Sequence, residues 1–160
     1  MKNAILALSL VYAAGSVGGL VNSLAVWLFG LLGISAALGV NIAPPLSATW
    51  LYPRLVWGGL WGFLFLIPLF GNSPLVRGVT YSAGPTLVQL FIILPVQQGK
   101  GMMGLDLGIL TPLLVVFFNI VWGLVASYWL IWIEGRTKIL FVPSNMLLAM
   151  AIRGSPPKRQ

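Results

Sequence analysis

The sequence predicts an all-α membrane protein, a compact bundle of four transmembrane helices. Of its 160 residues, 59% are apolar and only 7% are charged, whereas a soluble domain has about 25% charged residues. The mean hydropathy is +0.99, and the chain has no cysteine. These values exclude a soluble globule, a disordered chain and a disulfide-stabilised scaffold.

Four apolar segments approach the length of about 20 residues that a helix needs to cross the hydrocarbon core of a bilayer. They cover residues 4–33, 53–70, 79–96 and 106–133. The first continues well beyond the apolar stretch of a cleaved signal peptide, so we expect it to remain in the protein. Residues 1–133 then form one transmembrane domain.

The connections between these segments follow from prolines and glycines. Pro44-Pro45 places residues 34–52 in a long loop, because paired prolines end helices. Gly71-Asn72-Ser73-Pro74 predicts a turn. Residues 134–160 form a cytoplasmic tail, in which the apolar stretch 139–152 is too short to span and is predicted to lie in the membrane interface.

The charges predict an orientation. Nine Lys and Arg residues against two acids give a net charge of +7. Seven of the nine fall on the side that holds both predicted termini: Lys2, Arg77, Arg136, Lys138, Arg153, Lys158 and Arg159. We therefore expect both termini in the cytoplasm of a bacterial inner membrane. Apart from the adjacent Lys158 and Arg159, the basic residues are scattered singly, so they favour anionic lipid head groups over nucleic acid as a partner.

Small residues at a spacing of four predict how the helices pack, since they let helix backbones approach closely in a membrane. The predicted packing positions are Gly15, Gly19, Ser23, Gly58, Gly62, Asn119, Gly123 and Ser127. Two interpretations stay open. The small faces either hold a monomeric bundle together, or one of them is left for a homo-oligomer or a larger membrane complex.

Two of the predicted helices share a sequence fragment. Leu55-Val56-Trp57-Gly58 in the second resembles Ile120-Val121-Trp122-Gly123 in the fourth. Both helices run in the same direction, which fits two helical hairpins related by duplication. Chance recurrence of Trp-Gly is the alternative in a chain this rich in both residues.

Three charged residues are predicted on the outer face: Arg54, Lys100 and Asp106. An ionisable group in a membrane segment is a functional candidate, and Asp106 is the acid on the same side that would pair with Arg54. The structural alternatives are an interfacial anchor for Arg54 and a helix N-cap for Asp106.

Three amide side chains, Asn22, Gln89 and Asn119, fall in the middle of predicted spans. Buried amides must find hydrogen-bond partners. They are predicted either to bond between helices or to line a polar path with Arg54.

The chain contains few of the residue types that enzymes use for catalysis. Without His or Cys, and with only two acids, the usual general bases, thiol chemistry and ligand sets for zinc or haem are missing. The glycines around Lys100 lack the spacing of a phosphate-binding loop. We expect no enzyme activity, no cofactor and no metal.

Four short motifs resemble those of small bacterial four-helix inner-membrane proteins, broadly the YagU-like proteins. They are Gly18-Gly19-Leu20-Val21, Val56-Trp57-Gly58-Gly59, Gly99-Lys100-Gly101-Met102-Met103-Gly104 and Asn119-Ile120-Val121-Trp122-Gly123. The chain departs from that pattern at Arg54 and Asn119, where relatives carry His. The resemblance implies an inner-membrane location and a link to acid stress, but no activity.

The sequence thus favours a non-enzymatic membrane protein, an accessory or structural subunit that packs through small-residue helix faces. The alternative is a channel or transporter for an ion or small solute, with a polar path near Arg54, Asn22, Gln89 and Asn119. A lipid-linked enzyme using Arg54, Lys100 and Asp106 is a third possibility.

Overall fold

The fold is all-α in residues 2–67 and 73–137, the part of the chain that the computed structural model describes. Five α-helices occur there: α1 (Lys2–Leu31), α2 (Ile34–Ala37), α3 (Ala48–Trp61), α4 (Pro74–Val88) and α5 (Thr111–Thr137). Three other helical segments adjoin them. A 3-10 turn, Gly62–Leu66, continues α3; a π-helix, Gln89–Gln97, continues α4; and a 3-10 segment, Met102–Leu107, precedes α5.

Three helical segments are long and apolar enough to cross a membrane: Ala4–Leu31, Pro74–Gln97 and Thr111–Ile133. They make the chain a helical membrane protein. They correspond to the first, third and fourth predicted spans. The second predicted span, 53–70, is not among those that meet these criteria within the described residues.

Helix α3 begins at Ala48, five residues before the predicted start of the second span. Ser47 adopts an extended conformation and its hydroxyl accepts a hydrogen bond from the backbone amide of Trp50, 3.3 Å away. This N-cap satisfies one of the amides that a helix start leaves without a partner. Pro53 therefore lies inside α3, and the predicted loop 34–52 is shortened and contains α2.

Helix α5 begins at Thr111, so the prediction that Asp106 caps this helix is wrong. Asp106 lies in the preceding 3-10 segment with its side chain exposed. Gly108, with φ 142° and ψ 152°, separates the two. This positive φ, which glycine adopts much more readily than other residues, cannot continue a helix, so α5 starts at Thr111.

The remaining predicted boundaries differ less or lie outside the described residues. Ser73 caps α4 by accepting a hydrogen bond from the Val76 amide at 3.5 Å, and Pro74 is the first helical residue. Residues 68–72, with the first two residues of the predicted turn, lie outside the described residues. Helix α5 continues to Thr137, and the predicted interfacial segment 139–152 lies outside the described residues.

Helix α1 packs against α3 and α5, and α5 packs against α4. Glycines allow two of these contacts to be very close. A Cβ placed on Gly15 would clash with α3 at Gly58 and lie 2.8 Å from the Cα of Gly62. A Cβ placed on Gly78 of α4 would lie 2.8 Å from the carbonyl oxygen of Gly123 in α5. Each pair is a helical hairpin with its backbones in contact.

The connections before α3 and before α5 meet at one end of the bundle, which we call the loop end. The backbone amide of Asn41 donates to the carbonyl of Leu107 at 2.7 Å, and Val40 is buried against Phe118 and its neighbours. At the opposite end, the Arg77 guanidinium near the start of α4 donates to the Phe65 carbonyl at 3.0 Å. The chain therefore turns at both ends of the bundle.

Candidate functional site

Five polar residues from four helices lie at one level inside the bundle: Asn22, Ser23, Arg54, Gln89 and Asn119. We call them the polar layer. Each is six to nine residues from the helix terminus at the loop end, which corresponds to about 9–14 Å at the α-helical rise. The layer therefore lies within the depth of the apolar segments of α1, α4 and α5.

Arg54 is held in this layer by neutral groups. Its Nε donates to the Ser23 hydroxyl at 3.0 Å, and its Nη2 donates to Oδ1 of Asn22 at 3.1 Å. The guanidinium also stacks over the ring of Trp50, 4.7 Å from the centroid. These bonds use two of the five N–H donors of a guanidinium. Among the described residues, the other three have no hydrogen-bond partner.

The amides of the polar layer bond between helices, one of the two outcomes expected from the sequence. Nδ2 of Asn22 donates to the Phe118 carbonyl at 2.6 Å, which links α1 to α5. Nδ2 of Asn119 donates to Oε1 of Gln89 at 3.2 Å, which links α5 to the π-helix. Asn22 and Asn119 are both 7% exposed. The bonds position the amides without using all their polar atoms.

Two cavities meet at the polar layer. The inner cavity has a volume of about 330 Å³ and is lined by Asn22, Arg54, Gln89 and Asn119 together with apolar side chains. The loop-side cavity, of about 340 Å³, lies between the layer and the loop end and includes Lys100 in its lining. Both are lined by four shared residues: Asn22, Arg54, Gln89 and Gln98. The four residues proposed for a polar path thus line one space.

The charge of the two cavities is positive. Of the described residues that line the inner cavity, Arg54 alone is charged, and the loop-side cavity adds Lys100. Asp106 lines neither cavity. A cavity with cations and no carboxylate in its described lining favours an anionic ligand.

The predicted cluster of Arg54, Lys100 and Asp106 is therefore brought together only in part. Arg54 and Lys100 share the loop-side cavity. The Asp106 carboxylate lies instead beside the backbone of Gly101, where a Cβ would lie 2.7 Å from Oδ1. No ion pair joins Asp106 to Arg54 in the described structure.

The π-helix widens the part of α4 that borders the inner cavity. Pro95 cannot donate a backbone hydrogen bond, and beyond it the Gln98 amide bonds back five residues to the Ile93 carbonyl at 3.0 Å. Gln89, Ile93 and Gln97 all line the inner cavity. Stretches of π-helix are rare and are frequently found at functional sites.

Apolar side chains fill much of the opposite half of the bundle, which also contains the buried hydroxyls of Ser82 and Ser127. Val11, Ala14, Phe65, Tyr81, Trp122, Ala126 and Leu130 form one buried cluster. The indole Nε1 of Trp122 donates to the Gly15 carbonyl at 3.0 Å, and Trp122 also lines the inner cavity. The inner cavity therefore borders this apolar cluster at Trp122.

All eight predicted packing residues are buried within the single chain: Gly15, Gly19, Ser23, Gly58, Gly62, Asn119, Gly123 and Ser127. Ser23 donates to the Gly19 carbonyl in its own helix at 2.7 Å. The Ser127 hydroxyl has no hydrogen-bond partner among the described residues. The glycines among them contact neighbouring helices of the same chain, and assembly with a second chain stays a prediction.

The repeated Trp-Gly fragment has similar glycines and different tryptophans. Gly58 contacts the preceding helix of its hairpin, α1, and Gly123 contacts α4 in the same way. Trp122 is 3% exposed, whereas Trp57 is 60% exposed. The equivalent glycine contacts fit two related hairpins, and the duplication itself stays a prediction.

No protein-family model, curated protein or solved structure matches the chain. The resemblance to the YagU-like proteins stays a prediction. In the part of the chain that the structure describes, no three His, Cys, Asp or Glu side chains come together as a metal site requires. The functional interpretation therefore depends on the polar layer and its cavities.

Several features of this site are not predicted by the sequence. Ser23 was expected only to allow close packing, but it also accepts a hydrogen bond from Arg54. Trp50 falls within the predicted loop 34–52, and it provides the aromatic face on which the guanidinium stacks. Gln98 falls between the third and fourth predicted spans, and it lines both cavities. The sequence did contain a signal for the contact between Ser23 and Arg54, because Asn22, Ser23 and Arg54 have similar predicted depths in the membrane.

Proposed function

We propose that the protein is a non-enzymatic integral membrane protein that binds an anionic ligand in the space around Arg54. The observation that carries the proposal is the environment of this guanidinium. Neutral oxygens of Asn22 and Ser23 hold it in position, and no described carboxylate neutralises it. An arginine with free N–H donors at a cavity wall is suited to a carboxylate or phosphate.

Binding is favoured over a continuous channel by the shape of the interior. The polar layer and the loop-side cavity lie toward the loop end, and the inner cavity extends from the layer only as far as the buried apolar cluster around Trp122 in the opposite half. An ion crossing that half would lose its hydration without polar replacements. The polar residues therefore favour a binding site that opens toward one side, as in a carrier or a receptor, over a continuous polar path.

Catalysis is not favoured by the same residues. The charged groups lining the cavities, Arg54 and Lys100, supply binding and electrostatic attraction. Among the described residues, neither cavity lining includes a carboxylate or imidazole to accept a proton. The ligand is therefore expected to leave the cavity unchanged.

Four membrane crossings fit the arrangement of the connections better than three. The loops before α3 and α5 meet at the loop end, so the chain between α1 and α4 has to return to the opposite end. Helix α3 with its 3-10 turn has nineteen residues, which give about 31 Å of length, close to the ~30 Å hydrocarbon core. This segment is the proposed second span, in addition to the three long apolar segments.

The location and orientation of the protein are proposed from its charges. The excess of Lys and Arg at one side supports cytoplasmic termini in a bacterial inner membrane. All eight small packing residues are buried within the single chain, which supports their use in contacts between its own helices. Assembly into a homo-oligomer or a larger complex would therefore need another surface.

Binding can be followed by the fluorescence of the purified full chain in detergent. Trp50 stacks on Arg54, and Trp57, Trp61 and Trp122 line the inner cavity, so an anion at Arg54 is expected to change their emission. Titration with inorganic phosphate should give a saturable response that is lost in Arg54→Gln. In Arg77→Gln the response should persist, because this arginine lies at the opposite end, bonded to Phe65.

A saturable response of equal size in wild type and Arg54→Gln would place the anion elsewhere and contradict the proposal. Absence of any saturable response in the wild-type protein would contradict it as well. Arg54→Lys retains the charge but not the planar fork of donors. It is expected to bind phosphate more weakly than wild type and more tightly than Arg54→Gln.

A further inference from the structure

The inner cavity lies at a gap in the wall of the bundle. Helix α3 packs on α1, and α4 packs on α5, but α3 and α4 have no extensive contact with each other. Near Gly84, the side chains of Trp61 and Leu64 reach α4. Closer to the loop end, residues of both helices line the inner cavity on its two sides. The gap between α3 and the π-helix therefore faces the surroundings of the bundle, which are lipid in a membrane.

The two sides of this gap are mainly apolar. Pro53 and Trp57 on α3 and Val88 and Ile93 on the other side line the inner cavity. Trp57 is 60% exposed, although its neighbour in the next turn, Trp61, is partly covered. Nearby residues of the π-helix, Phe91 and Ile92, are exposed large apolar side chains. A hydrocarbon chain lying along this gap would contact apolar groups throughout.

The depth of the polar layer suits the head group of such a molecule. Arg54 lies six residues from the start of α3, about 9 Å from the loop end at the α-helical rise. Gln97 and Gln98, nearer the loop end, line the same cavity with exposed side chains. A ligand entering from the gap thus meets a cation and amides at its polar end and apolar side chains along its tail.

From this combination we infer that the ligand is an anionic lipid, with its phosphodiester at Arg54 and an acyl chain in the gap between α3 and the π-helix. The inference rests on the proposed anion binding at the same site and names the class of ligand. The shared chemistry is a phosphate oxygen accepting N–H bonds from a guanidinium. A water-soluble phosphate ester would use the same contact without the gap, so the two sources are separable by experiment.

The test is native mass spectrometry of the purified full chain in mild detergent with defined lipids. An equimolar mixture of phosphatidylglycerol and phosphatidylethanolamine should give a complex with one phosphatidylglycerol in preference to phosphatidylethanolamine. The preference should fall by about tenfold or more in Arg54→Gln, since charge-assisted hydrogen bonds are lost. Arg77→Gln is the matched control: this arginine also bonds a neighbouring segment and stacks on an aromatic ring.

Glycerol phosphate provides the head group without chains. If the acyl chain occupies the gap, glycerol phosphate should not displace the bound phosphatidylglycerol. Equal retention of the two lipids by the wild-type protein would overturn the inference, as would an unchanged preference in Arg54→Gln. If Arg54→Gln does not fold, Asn22→Asp replaces it, because a carboxylate at the acceptor that bonds Arg54 neutralises the same charge.

The outcomes separate this inference from the proposed function. Arg54-dependent binding of inorganic phosphate without a preference for phosphatidylglycerol leaves an anion site and removes the lipid. Loss of both responses removes the anion site itself. A preference for phosphatidylglycerol that glycerol phosphate fully abolishes would indicate a head-group site without a role for the gap.

Discussion

The Nη2 of Arg54 donates a hydrogen bond to Oδ1 of Asn22 across the contact between α3 and α1, at 3.1 Å. The same amide donates through Nδ2 to the Phe118 carbonyl of α5 at 2.6 Å. Asn22 thereby fixes the guanidinium in relation to two other helices. Because the acceptor is neutral, the arginine keeps its full charge at the cavity wall, and the residue at position 22 determines how much of that charge a ligand meets.

Two replacements of Asn22 should differ in their effect on anion binding. Asn22→Asp places a carboxylate beside Arg54, and this internal anion should abolish the fluorescence response to phosphate. Asn22→Leu removes the acceptor and leaves the charge, so the response should persist. Removing the buried amide costs about 1–3 kcal/mol of stability, which thermal unfolding in detergent would measure separately.

Loss of phosphate binding in both variants, with unfolding temperatures near that of wild type, would contradict this account. It would mean that the shape of position 22 matters and the charge balance does not. Retained binding in Asn22→Asp would show that the anion does not contact Arg54.

The positions of the long helices were predictable because each is an apolar stretch, and burial in lipid requires little more than length and hydropathy. The helix starts were less predictable. Ser47 caps α3 six residues before Pro53, and a serine in a proline-rich stretch has several possible roles. Gly108 separates Asp106 from α5 through a backbone conformation with positive φ, which the sequence alone does not reveal.

The sequence indicates which residues form the polar layer but not which of them hydrogen-bond to each other. Unpaired amides and an arginine in apolar segments must find partners, which identified Asn22, Arg54, Gln89 and Asn119. Asp106 was the expected partner of Arg54 because it is the acid on the same side. Asn22 and Ser23 were not predicted as the neutral partners of Arg54. Which residues of α1 face Arg54 depends on how α1 and α3 pack at their glycines.

The contact between α1 and α3 should be sensitive to a single methyl group. A Cβ on Gly62 would clash with the Val11 carbonyl oxygen and lie 3.2 Å from the Cα of Gly15. Backbone atoms cannot move aside without separating the helices, so Gly62→Ala should cost about 1–3 kcal/mol. Thermal unfolding of the purified protein in detergent measures this effect.

Gly84→Ala is the matched control for that variant. Its Cβ would meet only side chains, Cδ1 of Leu64 at 3.0 Å and the ring of Trp61 at 3.3 Å, which can shift. The change should be neutral or should stabilise α4 by up to about 1 kcal/mol through helix propensity. Equal destabilisation of the two variants would argue against close backbone packing as the reason for Gly62.

Trp122 should contribute to stability through a hydrogen bond as well as through burial. Its indole Nε1 donates to the Gly15 carbonyl at 3.0 Å, and the side chain is 3% exposed. Trp122→Phe removes the donor and part of the ring, with an expected loss of about 1–3 kcal/mol. Trp57→Phe, at an exposed position, should change stability by less than about 0.5 kcal/mol. Comparable unfolding temperatures for the two variants would contradict this assignment.

The absence of cysteine makes the proposed topology directly testable. Single cysteines at Leu46 and Lys100, both exposed and near the loop end, should react with a membrane-impermeant maleimide in intact cells. A cysteine at Ser73, at the start of α4, should react only after permeabilisation. Different accessibility of positions 46 and 100 would contradict four crossings, since their loops meet at one end. Equal labelling of both only after permeabilisation would retain four crossings and reverse the orientation.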